Sequence, residues 1–248
     1  QHVSEHHHHH HHAPAIPVTM NMSFAIAVSA NLLFTLAEAI LALEANSASL
    51  LGDAGHNFSD VLGLLLAWGA TYLVSRASGR DYSYGYRRTT ILAALLNAML
   101  LLLAAGYIAV QSLEKFYNPV APSETLIILV ALVGIAVNGG TALLFMKSSK
   151  GDLNLKGAFL HLAYDALISA GVVVGGVVIL FTGWLWVDPL MGLLITAVIV
   201  YGTWALLRDS INLILDAVPQ GIDRQGIVSY LSALPGVTQV HDVHIWAM

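Results

Sequence analysis

The sequence contains no cysteine at all. That excludes disulfide bridges, thiolate metal sites and cysteine nucleophiles, although it does not place the protein in a compartment. Charge is scarce as well: 10% of the 248 residues are Asp, Glu, Lys or Arg, against about a quarter in a soluble domain. The net charge of −5 leaves no basic surface for nucleic acid. A secretory signal is not expected, because the N-terminus has no Lys/Arg region and its first apolar run is too long for a signal peptide core. Also missing are His-Glu-x-x-His, Gly-x-Ser-x-Gly and a Walker A motif, and no soluble stretch is large enough to handle ATP. What fills the chain instead is hydrocarbon: 57% apolar residues and a mean hydropathy of +0.72. These values describe a membrane protein.

Six runs are long enough to cross a bilayer, near Val18–Leu43, Leu50–Val74, Thr90–Leu113, Glu124–Met146, Leu153–Phe181 and Val187–Leu207. None shows barrel-like alternation, so helices are expected, with every backbone group satisfied inside its own segment. The predicted fold class is an all-α six-helix transmembrane bundle over residues 18–207. Nine of the ten Lys/Arg fall on one side of this topology: Arg76, Arg80, Arg87, Arg88, Lys147, Lys150, Lys156, Arg208 and Arg224. Only Lys115 falls on the other, so the positive-inside rule puts both termini in the cytoplasm. Trp184 and Trp186 suit an interfacial anchor.

Residues 208–248 change character. They read as a connector, a short amphipathic helix near Ile222–Leu234, a Pro235-Gly236 turn and a strand-like Val237–Trp246. One helix and one strand cannot bury a core, so this segment is expected to be the start of an incomplete cytoplasmic domain. At the other end, residues 1–17 contain His6–His12, seven consecutive histidines. Such a run is either an expression tag or a metal-collecting tail, and both readings stand.

The runs are not uniformly apolar. His56 and Asp60 in the second, and His161 and Asp165 in the fifth, are i, i+4 pairs that share a helix face. A lone His in a membrane helix is usually a hydrogen-bonding group between helices. Here, however, the same pair occurs twice and no Lys or Arg lies in a span core to neutralise it. Two imidazoles and two carboxylates make a closed tetrahedral set suited to Zn²⁺, whereas all-oxygen ligands would suit Mg²⁺ or Ca²⁺. At 1.5 Å per residue the first pair lies roughly 9–15 Å and the second roughly 12–18 Å inside the bilayer, entered from opposite sides. Both therefore approach the midplane, where secondary transporters bind substrate.

Other polar residues carry weaker expectations. Asp53 either guides ions at the outer mouth or caps the second helix. Asn31, Glu38, Asn97 and Asn138 are expected to hydrogen-bond between helices, with Glu38 near the outer surface. Gly63, Gly69, Gly171, Gly175 and Gly176 are expected to allow close helix packing.

The strings "SLLGDAGHNFSD", "LNLKGAFLHLAYD", "GWLWVDP" and "HDVHIW", in this order and around six spans, resemble the cation diffusion facilitator family, in its zinc-type branch. The likeness runs from the first span to Met248. It implies a homodimeric antiporter in the lipid bilayer that exports Zn²⁺, with Cd²⁺ or Co²⁺ as further substrates, in exchange for H⁺ by alternating access. His56, Asp60, His161 and Asp165 would form its transport site. It also implies a ferredoxin-like α+β cytoplasmic domain in which His241 binds Zn²⁺ as a regulatory ligand, with His244 beside it, and no organic cofactor. Tyr84 and Tyr86 stand where the family often has a histidine in the loop after span two. The short 147–152 loop lacks a His-rich insert, which favours a bacterial plasma (inner) membrane.

The rival reading is an intramembrane metal-dependent hydrolase, which would keep one metal position open for water beside a general base. A channel would need weak, multi-site binding rather than four fixed ligands.

Overall fold

A computed structural model of the chain describes residues 22–75, 86, 88–148 and 153–247, with side chains over 29–75, 86, 88–143 and 159–247. The histidine run, most of the loop after the second span and the 149–152 loop lie outside the described residues.

Each apolar run forms one long helix: α1 (Met22–Glu44), α2 (Ala48–Val74), α3 (Thr89–Tyr117), α4 (Glu124–Ser148), α5 (Leu153–Thr182) and α6 (Val187–Ile214). Of the described stretches, Ala48–Val74, Thr89–Tyr117, Glu124–Leu143, Phe159–Thr182 and Val187–Ile214 are long and apolar enough to cross a membrane. The protein is an integral membrane protein of mostly helical structure. Sequence reasoning ended the last span at Leu207, but α6 continues through Arg208 and Asp209 to Ile214. Polarity ends a span without ending a helix. The helix stops where Asp216 turns left-handed, at φ 53°.

The helices are apolar outward and polar inward. Leu33, Leu103, Phe181 and Tyr201 are exposed by 69, 70, 82 and 87%, whereas Thr35, Glu38, Asp53, Asn57, Asn138 and Ser169 are fully buried. Lipid is the solvent for the first set, and hydrogen bonding between helices accommodates members of the second. α4 packs along α5 and α3 along α6, while α2 lies among α1, α3, α5 and α6. Leu50, Ile127, Val130, Val172 and Ile195 form the apolar core.

Close approach depends on a few glycines. A Cβ on Gly176 would meet Ile127 Cγ2 and Ile128 Cγ1 at 2.9 Å, and one on Gly63 would meet Asn97 Nδ2 at 3.0 Å. Gly69, expected to pack in the same way, has nothing within 4 Å. Spacing along a helix does not reveal how close a neighbouring helix comes. Gly171 and Gly175 make ordinary contacts with Met191.

The start of α2 is the most heavily tied helix end. Ser47 caps it by accepting from Leu50 N at 3.1 Å. From α6, Asp188 then accepts from Ser47 Oγ and Ser49 Oγ at 2.6 Å, from Ala48 N at 2.7 Å and from Ser49 N at 3.1 Å. Lys115 of α3 lies 3.6 Å from the same carboxylate. A carboxylate at a helix N-terminus satisfies free N–H groups and complements the helix dipole. Capping by Asp53 is thereby ruled out, because that residue lies inside the helix.

Beyond α6, Arg88 Nη2 donates to Asp216 Oδ1 at 2.6 Å, and α7 (Arg224–Ser232) starts at its cap Asp223. The strand expected over Val237–Trp246 does not form, and no strand occurs among the described residues. A strand needs a partner ladder, and the described residues supply none.

Candidate metal centre

α2 and α5 pack side by side in opposite directions and carry their His/Asp pairs to one place. His56 Nε2 lies 3.2 Å from Asp165 Oδ1 and 3.8 Å from Asp60 Oδ2. His161 Nε2 lies 3.3 Å from Asp60 Oδ2 and 3.7 Å from Asp165 Oδ2. The four side chains close a ring in which nitrogen and oxygen alternate, and the imidazoles meet edge to face with centroids 6.3 Å apart. Ligand atoms of His56, Asp60 and Asp165 all lie within 4.8 Å of one another. Tetrahedral N/O ligands at about 2.0 Å from a metal stand about 3.3 Å apart, close to the four ring edges, but His161 falls outside the set of mutually close ligand atoms, so its imidazole would have to move inward to complete a four-coordinate site.

Exposure is graded around the ring. The Asp165 side chain is 1% exposed, His56 17%, Asp60 22% and His161 47%. Asp165 is thus the floor of the site and His161 its open side. Asp60 Oδ2 accepts no hydrogen bond, which leaves its lone pairs for a cation. A buried carboxylate oxygen without a donor is costly unless something positive visits it.

A polar layer lies one turn further along both helices. Asp53 Oδ2 accepts from Ser169 Oγ at 2.7 Å, and Glu38 Oε2 accepts from Asn57 Nδ2 at 3.1 Å. Glu38 thus hydrogen-bonds between helices, as the sequence suggested, and is 0% exposed because α1 packs this face against α2. Sequence reasoning passed over Ser169 and Asn57, which are simply small polar residues in apolar runs. It also quoted Asp188 only as part of a turn, although an acid in the first turn of a span was a usable signal.

His241 is elsewhere. Its Nδ1 lies 3.1 Å from Asp242 Oδ2, 71% exposed, and no third ligating side chain gathers there among the described residues. His244 faces a cavity of about 620 Å³ with Arg88, Asp216, Arg224 and Trp246.

The fold is that of a helical membrane protein with a partly exposed ring of imidazole nitrogens and carboxylate oxygens between its helices, a set of atoms that could hold a cation. The family model described as the cation efflux transmembrane domain matches residues 24–215, and the chain belongs to this family of metal-cation efflux transporters. It is 34% identical over 226 residues to the metal cation efflux system protein CzcD of Cupriavidus metallidurans, which covers 91% of this chain and 72% of that protein. It is 33% identical over 217 residues to the cadmium, cobalt and zinc/H(+)-K(+) antiporter of Bacillus subtilis, covering 87% and 70%. The zinc transporter ZitB of Escherichia coli is 31% identical over 225 residues, covering 90% and 71%. The relatives are transporters, so the chain is not read as an enzyme and the hydrolase reading has no support.

Proposed function

We propose that this chain exports Zn²⁺ from the cytoplasm in exchange for protons, binding the ion to His56, Asp60, His161 and Asp165 by alternating access. The carrying observation is the alternating N/O ring between α2 and α5. Two neutral imidazoles and two carboxylates form a charge-balanced tetrahedral site for Zn²⁺, and the absence of thiolate weakens the hold on softer ions. The names of the relatives, which include zinc, cadmium, cobalt and a proton antiporter, support this substrate class, with Cd²⁺ and Co²⁺ as secondary substrates.

Coupling follows from the ligands. Free imidazole titrates at about 6.5, and ligation requires its neutral form. Zn²⁺ arriving from the cytoplasm must therefore displace any protons held there, and acid on the far side restores them and releases the metal.

All six long helices span the membrane in this reading. Both termini are cytoplasmic by the positive-inside rule, in a bacterial inner membrane, with two chains forming a homodimer. Residues 208–248 form a connector and part of a small cytoplasmic domain. There His241, exposed beside Asp242, is a regulatory Zn²⁺ ligand.

The test is a proteoliposome with equal Zn²⁺ on both sides and an imposed pH gradient. An antiporter accumulates Zn²⁺ in the acidic compartment against no initial metal gradient. Absence of uphill movement in a preparation that still passes Zn²⁺ downhill would make the protein a uniporter.

A further inference from the structure

Glu38 and Asp53 are the two buried carboxyls that the metal site does not use. Both are 0% exposed, and Glu38 bonds to Asn57, one turn of α2 from Asp53, so both carboxyls lie along one stretch where α1 packs on α2. Glu38 Oε2 takes a hydrogen bond from Asn57, and Asp53 Oδ2 takes one from Ser169. Their other oxygens, Glu38 Oε1 and Asp53 Oδ1, have no donor, and neither does Asn57 Oδ1. These three oxygens are acceptors without a hydrogen.

The charges facing this pair are few. They are the two carboxyls themselves, His56 three residues on along α2, and Asp165 from α5. Among the described residues no Lys or Arg side chain pairs with Glu38 or Asp53. Two adjacent carboxylates in so dry a site cannot both stay charged without a cation, so a proton is the simplest ion that satisfies them. The pair also stands close to the metal ring: Asp53 precedes His56 by one turn of α2, roughly 4.5 Å along the axis, and Ser169 follows Asp165 by one turn of α5. A divalent ion in the ring therefore lies next to the carboxyl pair.

We propose that Glu38 and Asp53 form a proton-binding site separate from the metal ligands, whose proton is expelled when the divalent cation enters the ring. This rests on the proton-antiport reading above. The step is a balanced exchange: protonated Glu38 loses H⁺ to water, and the carboxylate left behind is offset by the cation held one turn away. When the cation leaves, the pair takes a proton again. Linkage makes the effect mutual, so a proton on the pair weakens metal binding by the factor by which the metal weakens the proton's.

The experiment counts protons released per Zn²⁺ bound, with a pH indicator and weakly buffered, detergent-purified full-length chain, while calorimetry monitors Zn²⁺ binding. Glu38→Gln keeps the shape and the acceptor for Asn57 but has no acidic proton. It is expected to bind Zn²⁺ with wild-type stoichiometry, to release about one proton fewer per Zn²⁺, and to lose accumulation driven by a pH gradient. Asp53→Asn is the second arm should Glu38→Gln fail to insert, and the same deficit is expected; Glu38→Asp is expected to restore release. A purely structural role for Glu38 leaves the proton count unchanged. Unchanged release with intact Zn²⁺ binding, in whichever arm folds, overturns the proton site. No release from the wild-type chain overturns the antiport reading and this one with it.

Discussion

His56 Nε2 and Asp165 Oδ1 lie 3.2 Å apart although 109 residues separate them in the chain. The contact joins α2 to α5, the helix pair that carries the proposed transport site. Because Asp165 is almost wholly buried and touches both imidazoles, it is the residue whose loss the ring can least absorb.

Replacing Asp60 or Asp165 with Ala removes one of two anionic ligands. Loss of an outer-shell partner alone costs a metal site 10–100-fold in affinity, so loss of a ligand is expected to weaken Zn²⁺ binding by at least about 100-fold and to abolish transport. Calorimetry and vesicle flux on inserted protein check this. Asp165→Ala should be the more severe, since the more exposed Asp60 site can be replaced by water. Wild-type flux in either variant would remove the ring from the mechanism.

His56→Asp converts two nitrogens and two carboxylates into one nitrogen and three carboxylates. The site becomes harder and less strict in geometry, so Mn²⁺ and Cd²⁺ transport should rise relative to Zn²⁺. Competition flux with the three metals measures this. An unchanged metal profile would mean that His56 does not touch the ion.

Asp188 and Asp216 are both acids at helix ends, but they are expected to differ in worth. Asp188→Ala strands two backbone N–H groups in a buried site and leaves the Ser47 and Ser49 hydroxyls only each other, with each unsatisfied group costing about 1–3 kcal/mol before relaxation. Asp216→Ala breaks an exposed pair with Arg88, worth about 0–1 kcal/mol. Thermal melting in detergent should show a large drop for the first and little change for the second.

Gly192→Ala is expected to destabilise the bundle by about 1–3 kcal/mol, the usual range for overpacking. Its Cβ would meet Ser112 Oγ at 2.6 Å, Ala48 Cβ at 2.9 Å and the Ala48 backbone at 3.0 Å, where α2, α3 and α6 converge. Gly202→Ala on the same helix is the control: nothing lies within 4 Å, so its melting temperature should hold or rise. Equal behaviour of the two would argue against this helix packing.

The sequence by itself determined the long helices and the two i, i+4 pairs. Hydrocarbon admits no unpaired backbone, so length and apolarity alone dictate helix, and a 3.6-residue repeat alone places His56 with Asp60 and His161 with Asp165 on single faces. The resemblance pointed to the family that the comparisons then showed. Which face of one helix meets which face of another was decided by tertiary packing. That is why Glu38 finds Asn57 of α2 as its partner, why Gly69 meets nothing within 4 Å among the described residues while Gly192 is tight, and why Asp188 becomes the anchor of α2. These outcomes depend on the order and rotation of helices, which hydropathy does not encode because most residues on every face of a membrane helix are apolar. Val237–Trp246 shows the same limit from the other direction. Its residues suit a strand, but a strand is a relation between two extended segments, and among the described residues no second strand pairs with it.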